Sequence, residues 1–167
     1  MDPDERREPG LRVLVVDDDI VVAMLLAMSL PDVAVIEASR MGEGLSTARE
    51  SRPDVVVVDR TLPDGDGLDL IRALRAEPET DDVPIVLVTA GHDPADRSDV
   101  LRAGADEYLA KPFEPHDLEQ LLRTLISVPA AERARRRTQA RRLRPLRAAV
   151  EESGIVLPTA GEPPDPQ

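Results

Sequence analysis

Six polar side chains follow apolar runs in this chain: Asp17, Asp18 and Asp19 after LRVLVV, Asp59 after four valines, Thr89 after VPIVLV, and Lys111 just past EYLA. Two or three carboxylates beside one ammonium make a hard-oxygen site suited to Mg²⁺, which keeps several waters and prefers one or two carboxylates plus a phosphate. Without a cation, three acids brought together repel one another and partly protonate. A divalent ion relieves that repulsion and leaves room for a phosphoryl group. Asp59 ends a valine run just before the turn RTLPDGDG, a rigid position for a nucleophile. Its carboxylate can attack a phosphoryl donor to form an acyl phosphate while a metal neutralises charge on the equatorial oxygens. No general base is needed, because the carboxylate is already ionised. Lys111 is the one lysine among 21 basic residues. A compact ammonium on a flexible stem fits a corner shared with a metal and a hydroxyl, where a guanidinium fork would crowd.

Taken singly, each residue has a plainer reading. An aspartate after a strand is often a cap or turn residue, and a threonine there is often a β-former. The elements that carry them decide whether they meet. LRVLVV (11–16), VAVI (33–36), DVVVV (54–58), VPIVLV (83–88) and the weaker EYLA (107–110) have strand length and β-branched content. Helical patterns fall between them at 20–29, 40–51, 67–77 and 94–103, then at 115–126, where Leu118, Leu121, Leu122, Leu125 and Ile126 repeat at helical spacing. Apolar strands without alternation are covered on both faces, and strand–helix alternation calls for right-handed crossovers and a parallel sheet. The expectation is a doubly wound α/β domain over 11–127, with its ligand crevice beyond the carboxyl ends of the strands. That is where all six residues fall.

Composition narrows the function. The formal charge of -12 repels nucleic acid and anionic membrane. Tyr108 and Phe113 are the only aromatic residues, so stacking on bases is not available. The absence of cysteine excludes disulfides and thiol chemistry. The charged start and the lack of a long apolar run lead us to expect a cytoplasmic protein without a membrane segment. His92 and His116 read as solvent-exposed groups, and Met24, Met28 and Met41 as core and helix-face filler.

The pieces LVVDDD, VVVVDRTLPDGDG, IVLVTA and GADEYLAKPF, in this order and spacing, make the domain resemble the receiver domain of bacterial two-component response regulators. The resemblance covers residues 11–127. It implies a flavodoxin-like fold with a five-stranded parallel sheet of order 2-1-3-4-5 and helices on both faces. It implies that Asp59 accepts a phosphoryl group from a sensor histidine kinase or a histidine phosphotransfer protein. Asp17, Asp18, the Asp59 carboxylate and the main-chain carbonyl of Thr61 would hold Mg²⁺. Thr89 matches the switch hydroxyl and Tyr108 the switch aromatic. Lys111 matches the lysine that pairs with the phosphoryl group, and a cis bond is expected between Lys111 and Pro112. Asp19 is taken as the N-cap of a helix starting at Ile20. Thr61 and Gly91 fall at positions lining the approach to the phosphoryl group. The product is a stoichiometric phosphoacceptor rather than an enzyme, acting on a downstream protein target, with a phosphorylation-dependent homodimer allowed. Two alternatives stand beside it. An Asp-nucleophile phosphohydrolase of the haloacid dehalogenase kind would carry an aspartate two residues after the nucleophile, where this chain has Thr61. A pseudo-receiver scaffold would not need the full set.

The remaining segments differ. Residues 1–10 read as a flexible N-terminus. Residues 1–127 carry 13 basic and 28 acidic groups, whereas 128–167 carry eight arginines and five acids. The basic part, 133–147, reads as a helix strained at Arg144 ahead of Pro145, and the last ten residues as disordered. This extension is too short and too polar for a helix-turn-helix unit, so direct DNA binding is not expected. Its plainest reading is a solvated, partly helical extension. The alternative is an arginine arm that docks on an acidic surface, of this receiver or of a partner, and responds to phosphorylation.

Overall fold

The computed structural model describes residues 10–90 and 94–152, and side-chain surroundings at 10–90 and 98–142. The expected flexible start (apart from Gly10), Gly91, His92 and the disordered C-terminal end lie outside the described residues. In chain order the elements are β1 (Leu11–Val16), α1 (Val21–Ser29), β2 (Val33–Ala38), α2 (Met41–Ser51) and β3 (Val55–Asp59). A small hairpin of β4 (Thr61–Leu62) and β5 (Gly65–Asp66) follows, then α3 (Gly67–Arg75), β6 (Ile85–Thr89), α4 (Pro94–Ala103), β7 (Glu107–Ala110), α5 (Pro115–Ser127) and α6 (Ala130–Glu152).

The five longer strands form one sheet in the order β2-β1-β3-β6-β7, every neighbour parallel. This is the expected 2-1-3-4-5 order once the hairpin is set aside. Strand pleating splits each apolar run between two layers. Leu14, Val16, Val56, Val58, Ile85 and Leu87 face α2, α3 and α4, through Ala48, Leu70, Ile71, Leu74 and Val100. Val13, Val15, Val55, Val57, Val86 and Val88 face α1 and α5, through Val22, Leu26, Leu118 and Leu122. Burying each such valine contributes roughly 1.5–3 kcal/mol. The strand order reverses between β1 and β3, so their carboxyl ends, Val16–Asp17 and Asp59, flank the crevice.

Some boundaries differ from the pattern reading. β6 begins at Ile85 rather than Val83, because Pro84 has no N–H for the ladder, although its carbonyl accepts from Val56 N at 2.9 Å. The α1 helix begins at Val21, yet Ile20 is already helical (φ -68°, ψ -10°) and Asp19 Oδ1 accepts from Val21 N at 3.0 Å. The Asp19 carboxylate therefore caps this helix end as expected, with the assigned helix one residue shorter. Met24 and Met28 are not core residues: they are 49% and 79% exposed on α1.

The extension departs most from its plainest reading. The α6 helix starts at Ala130, earlier than expected, and runs through Pro145 to Glu152. Its first half docks on the domain. Arg133 and Arg137 are buried. Arg133 donates to the carbonyls of Val128 and, at 2.7 Å, Asp82. Arg137 Nη1 meets Asp106 Oδ1 at 2.5 Å, and Arg141 Nε donates to the Arg102 carbonyl at 3.2 Å. Among the described residues, the receiving surface is one aspartate and the carbonyls of Asp82 and Arg102 rather than a broad acidic face. No helix among the described residues is long and apolar enough to cross a membrane.

Candidate functional site

Asp17 leaves β1 with its N–H still paired to the Ala38 carbonyl at 3.0 Å, so the strand extends into the site. Its side chain is 3% exposed. One carboxylate oxygen, Oδ1, accepts from Asp19 N at 2.9 Å, and the other, Oδ2, receives Lys111 Nζ at 3.3 Å. Asp59, at the end of β3, lies with Oδ2 3.6 Å from the same Nζ, while its Oδ1 accepts from Thr61 N at 3.3 Å. Asp18 is exposed, and one oxygen from each of Asp17, Asp18 and Asp59 lies within 4.8 Å of the others.

Electrostatics mark the trio as short of positive charge. Burial and the neighbouring Asp17 charge push the Asp59 carboxyl up to about 6, with Lys111 and the Thr61 N–H only partly opposing. Burial works against the Lys111 ammonium, but the Asp17 and Asp59 carboxylates outweigh it and raise its pKa. One ammonium serves three carboxylates, and one of the three is exposed. That donor set fits a hard divalent cation with water in its remaining positions.

Thr89 ends β6, buried, and its carbonyl accepts from Lys111 N at 2.7 Å, which ties the ends of β6 and β7 together beside Asp59. The Lys111–Pro112 peptide is cis. Tyr108 lies one layer back, opposite Leu87, partly buried against the apolar cluster shared with α3 and α4. Thr61 is exposed on the hairpin, paired with Asp66. Asp17, Asp18, Asp59 and Lys111 thus come together, with Thr89 joined through the backbone and Tyr108 set away from the carboxylates. His116 is exposed at the start of α5.

The loop after Asp59 holds positioning residues that pattern reading passes over. Asp64 accepts from Met41 N (2.7 Å) and Gly42 N (3.2 Å), capping α2 from across the crevice. These N–H groups hold its carboxyl below the usual range. Asp66 caps α3 through Leu68 N at 2.8 Å and pairs with Arg60 at 3.2 Å. At Gly67 a Cβ would sit 2.2 Å from the Asp59 carbonyl oxygen, so a larger residue would push against the backbone of Asp59 itself. The string DGDG was a visible turn signal, but its partners, Met41 and Asp59, were not.

Comparison with known proteins gives a consistent picture. Residues 13–123 match the response regulator receiver domain model. The DNA-binding response regulator MtrA of Mycolicibacterium paratuberculosis is 44% identical over 114 residues, 64% of this chain and 47% of that protein. The KDP operon transcriptional regulatory protein KdpE of Escherichia coli is 36% identical over 116 residues, 68% of this chain and 50% of that protein. The chain thus spans about half the length of the curated relatives it matches. Among solved structures, the receiver domain of a Pseudomonas aeruginosa sensor histidine kinase, with a magnesium ion coordinated in its active-site cleft, is similar with a TM-score of 0.64 and 30% identity. The match covers 71% of this chain and 99% of that one.

Proposed function

Since the chain belongs to the response regulator receiver family, we propose that Asp59 accepts a phosphoryl group from a phosphohistidine on a sensor histidine kinase or histidine phosphotransfer protein. The observation that carries this is the meeting of the Asp17, Asp18 and Asp59 carboxylates, two of them beside one cationic Nζ, 3.3 and 3.6 Å from Asp17 and Asp59. An Asp59 carboxylate oxygen attacks phosphorus, the P–N bond breaks, and its electron pair stays on the imidazole, which takes up a proton. Asp17, Asp18, the Asp59 carboxylate and the Thr61 carbonyl would hold Mg²⁺, a reading that the magnesium-bearing cleft of the similar kinase receiver supports. Bound there, the metal would neutralise charge on the transferring group. The Thr61 N–H holds one Asp59 oxygen and leaves the other facing Lys111. Lys111 then exchanges its carboxylate partners for a phosphoryl oxygen, Thr89 supplies a hydroxyl to another, and Tyr108 packs inward behind it.

Beside the trio, α1 exposes Ile20, Val21, Met24 and Met28 on successive turns, an apolar face on which a phosphodonor protein docks in this reading. The output is a change in a protein contact. Both curated relatives are named as DNA-binding or transcriptional regulators, which weighs weakly against the expectation of no direct DNA binding.

Incubation with Mg²⁺ and acetyl phosphate tests the reading. The expected result is one hydroxylamine-labile phosphoryl group per chain, abolished by Asp59→Asn. Turnover of many donor equivalents per minute would point to the phosphohydrolase instead, and no labelling by donor or kinase to the scaffold.

A further inference from the structure

Over its described residues, 130–142, α6 is held mainly by charge and by arginine-to-carbonyl bonds. Its described inward positions are Arg133, Arg137 and the half-buried Ala140, at 4- and 3-residue spacing, and they present no apolar stripe. Asp106, 3% exposed, is the focus: Oδ1 takes Arg137, while Oδ2 takes Arg75 Nη2 and Ile85 N, both at 2.9 Å. The guanidiniums of Arg75 and Arg137 share this one carboxylate, and Arg133 is held on the Val128 and Asp82 carbonyls. Burial, together with Arg137 and Arg133, lowers the Arg75 pKa to about 10 against the pull of Asp106. The Nε atoms of Arg102 and Arg133, on α4 and α6, are buried with no hydrogen-bond partner among the described residues. Unmade buried donors are costly. The docked arrangement is therefore closed but imperfectly satisfied, and a small bias can open it.

The clasp grips the last turn of α4 and the start of β7, and β7 carries Lys111 of the phosphoacceptor site at its opposite end. Asp106 immediately precedes β7, and Lys111 immediately follows it, roughly 17 Å along the strand at the usual rise per residue. The carbonyl held by Arg141 belongs to Arg102, in the last turn of α4, whereas the other end of α4 follows the segment after Thr89. The Lys111 N–H to Thr89 carbonyl bond joins the ends of β7 and β6 at the site. We propose that α6 is a reversible strap, docked across α4 and β7 while Asp59 is unmodified and released when Asp59 carries a phosphoryl group. This rests on the phosphoacceptor reading. Capture of the new group by Lys111 and Thr89 draws on β7 and the start of α4, and the clasp tuned to their present position loses its fit. Coupling of this kind is reciprocal, so loosening the strap favours phosphorylation by the same factor.

Hydrogen exchange of residues 130–142 in the full chain, with Mg²⁺ and with or without acetyl phosphate, tests the strap. Hydroxylamine-labile label is quantified in the same sample. The expected result is exchange at least about fivefold faster in the labelled protein. Label present with α6 exchange unchanged overturns the strap and leaves the phosphoacceptor reading standing, whereas no label sinks both. In the reverse direction, Arg137→Gln should raise the labelled fraction at limiting donor severalfold, and unchanged labelling of a folded variant overturns the coupling. If Arg137→Gln does not fold, Arg141→Gln, at an exposed position, carries the same test with a smaller expected rise.

Discussion

The two ends of the sheet are electrostatic opposites. At the carboxyl end, three carboxylates share one ammonium, and Asp59 is pushed up to about 6. At the amino end, the guanidiniums of Arg75 and Arg137 share the Asp106 carboxylate, and Arg75 is pushed down to about 10. Both carry an excess of one sign, but they differ in access. The acidic end keeps Asp18 exposed and can be completed from solution. The basic end is covered by α6, and Asp106 is fully engaged by Arg75, Arg137 and Ile85 N. A charge imbalance open to solvent makes a site for a cation or a phosphoryl group, whereas the same imbalance sealed under a helix makes a clasp.

The largest expected effect on stability lies at the sealed end. Asp106→Ala leaves buried guanidiniums without their carboxylate and should cost about 3–5 kcal/mol in urea unfolding. A loss below about 1 kcal/mol would mean the two ends are alike in access. Next comes Gly67→Ala. With backbone 2.2 Å from the new Cβ, the strain should cost about 1–3 kcal/mol and slow Asp59 labelling by moving its backbone.

The open end responds to pH. Asp59 titrates near 6 in the fold and near the ordinary carboxylate value of about 4 when unfolded. A raised carboxyl pKa means the fold binds the proton more tightly, so in chelator the protein loses stability as pH climbs from about 4 to about 6 and is level above that. Asp59→Asn should therefore stabilise the metal-free protein at pH 7, by on the order of 1–2 kcal/mol after allowance for half-burial. Mg²⁺ affinity of the parent should fall as pH drops through about 6. A stability curve flat between pH 4 and 6 would remove the charge-deficit account. The smallest stability effect is expected at Asp18→Asn, within about 0.5 kcal/mol because the side chain is exposed, alongside a clear loss of Mg²⁺ affinity by calorimetry.

Much of this was legible from residue order. Asp17, Asp59, Thr89 and Lys111 follow apolar runs, and a parallel sheet brings such ends to one edge whatever the loops do. The Asp64 cap on α2 and the close approach of Gly67 to Asp59 were not legible, because a turn motif names its own conformation and not what packs on it. The methionines divide between the two places read for them, Met41 against the core and Met24 and Met28 on the exposed face of α1, a division that the sequence pattern does not make. The α6 helix was visible as an arginine-rich segment, with docking on an acidic surface as one alternative, but the groups it docks on were not. Arg137 finds Asp106 across 31 positions and Arg133 the Asp82 carbonyl across 51, and eight arginines in one stretch offer no way to choose.

The sequence by itself determined the strand and helix alternation and the gathering of acids with one lysine, because each depends on local periodicity and on chain connectivity, whereas the sheet order was implied by the resemblance of its motifs to the receiver family. Only the tertiary structure decided which charges are open and which are sealed. Exposure is a property of what lies over a side chain, and what lies over Asp106 is a helix distant from it in the chain.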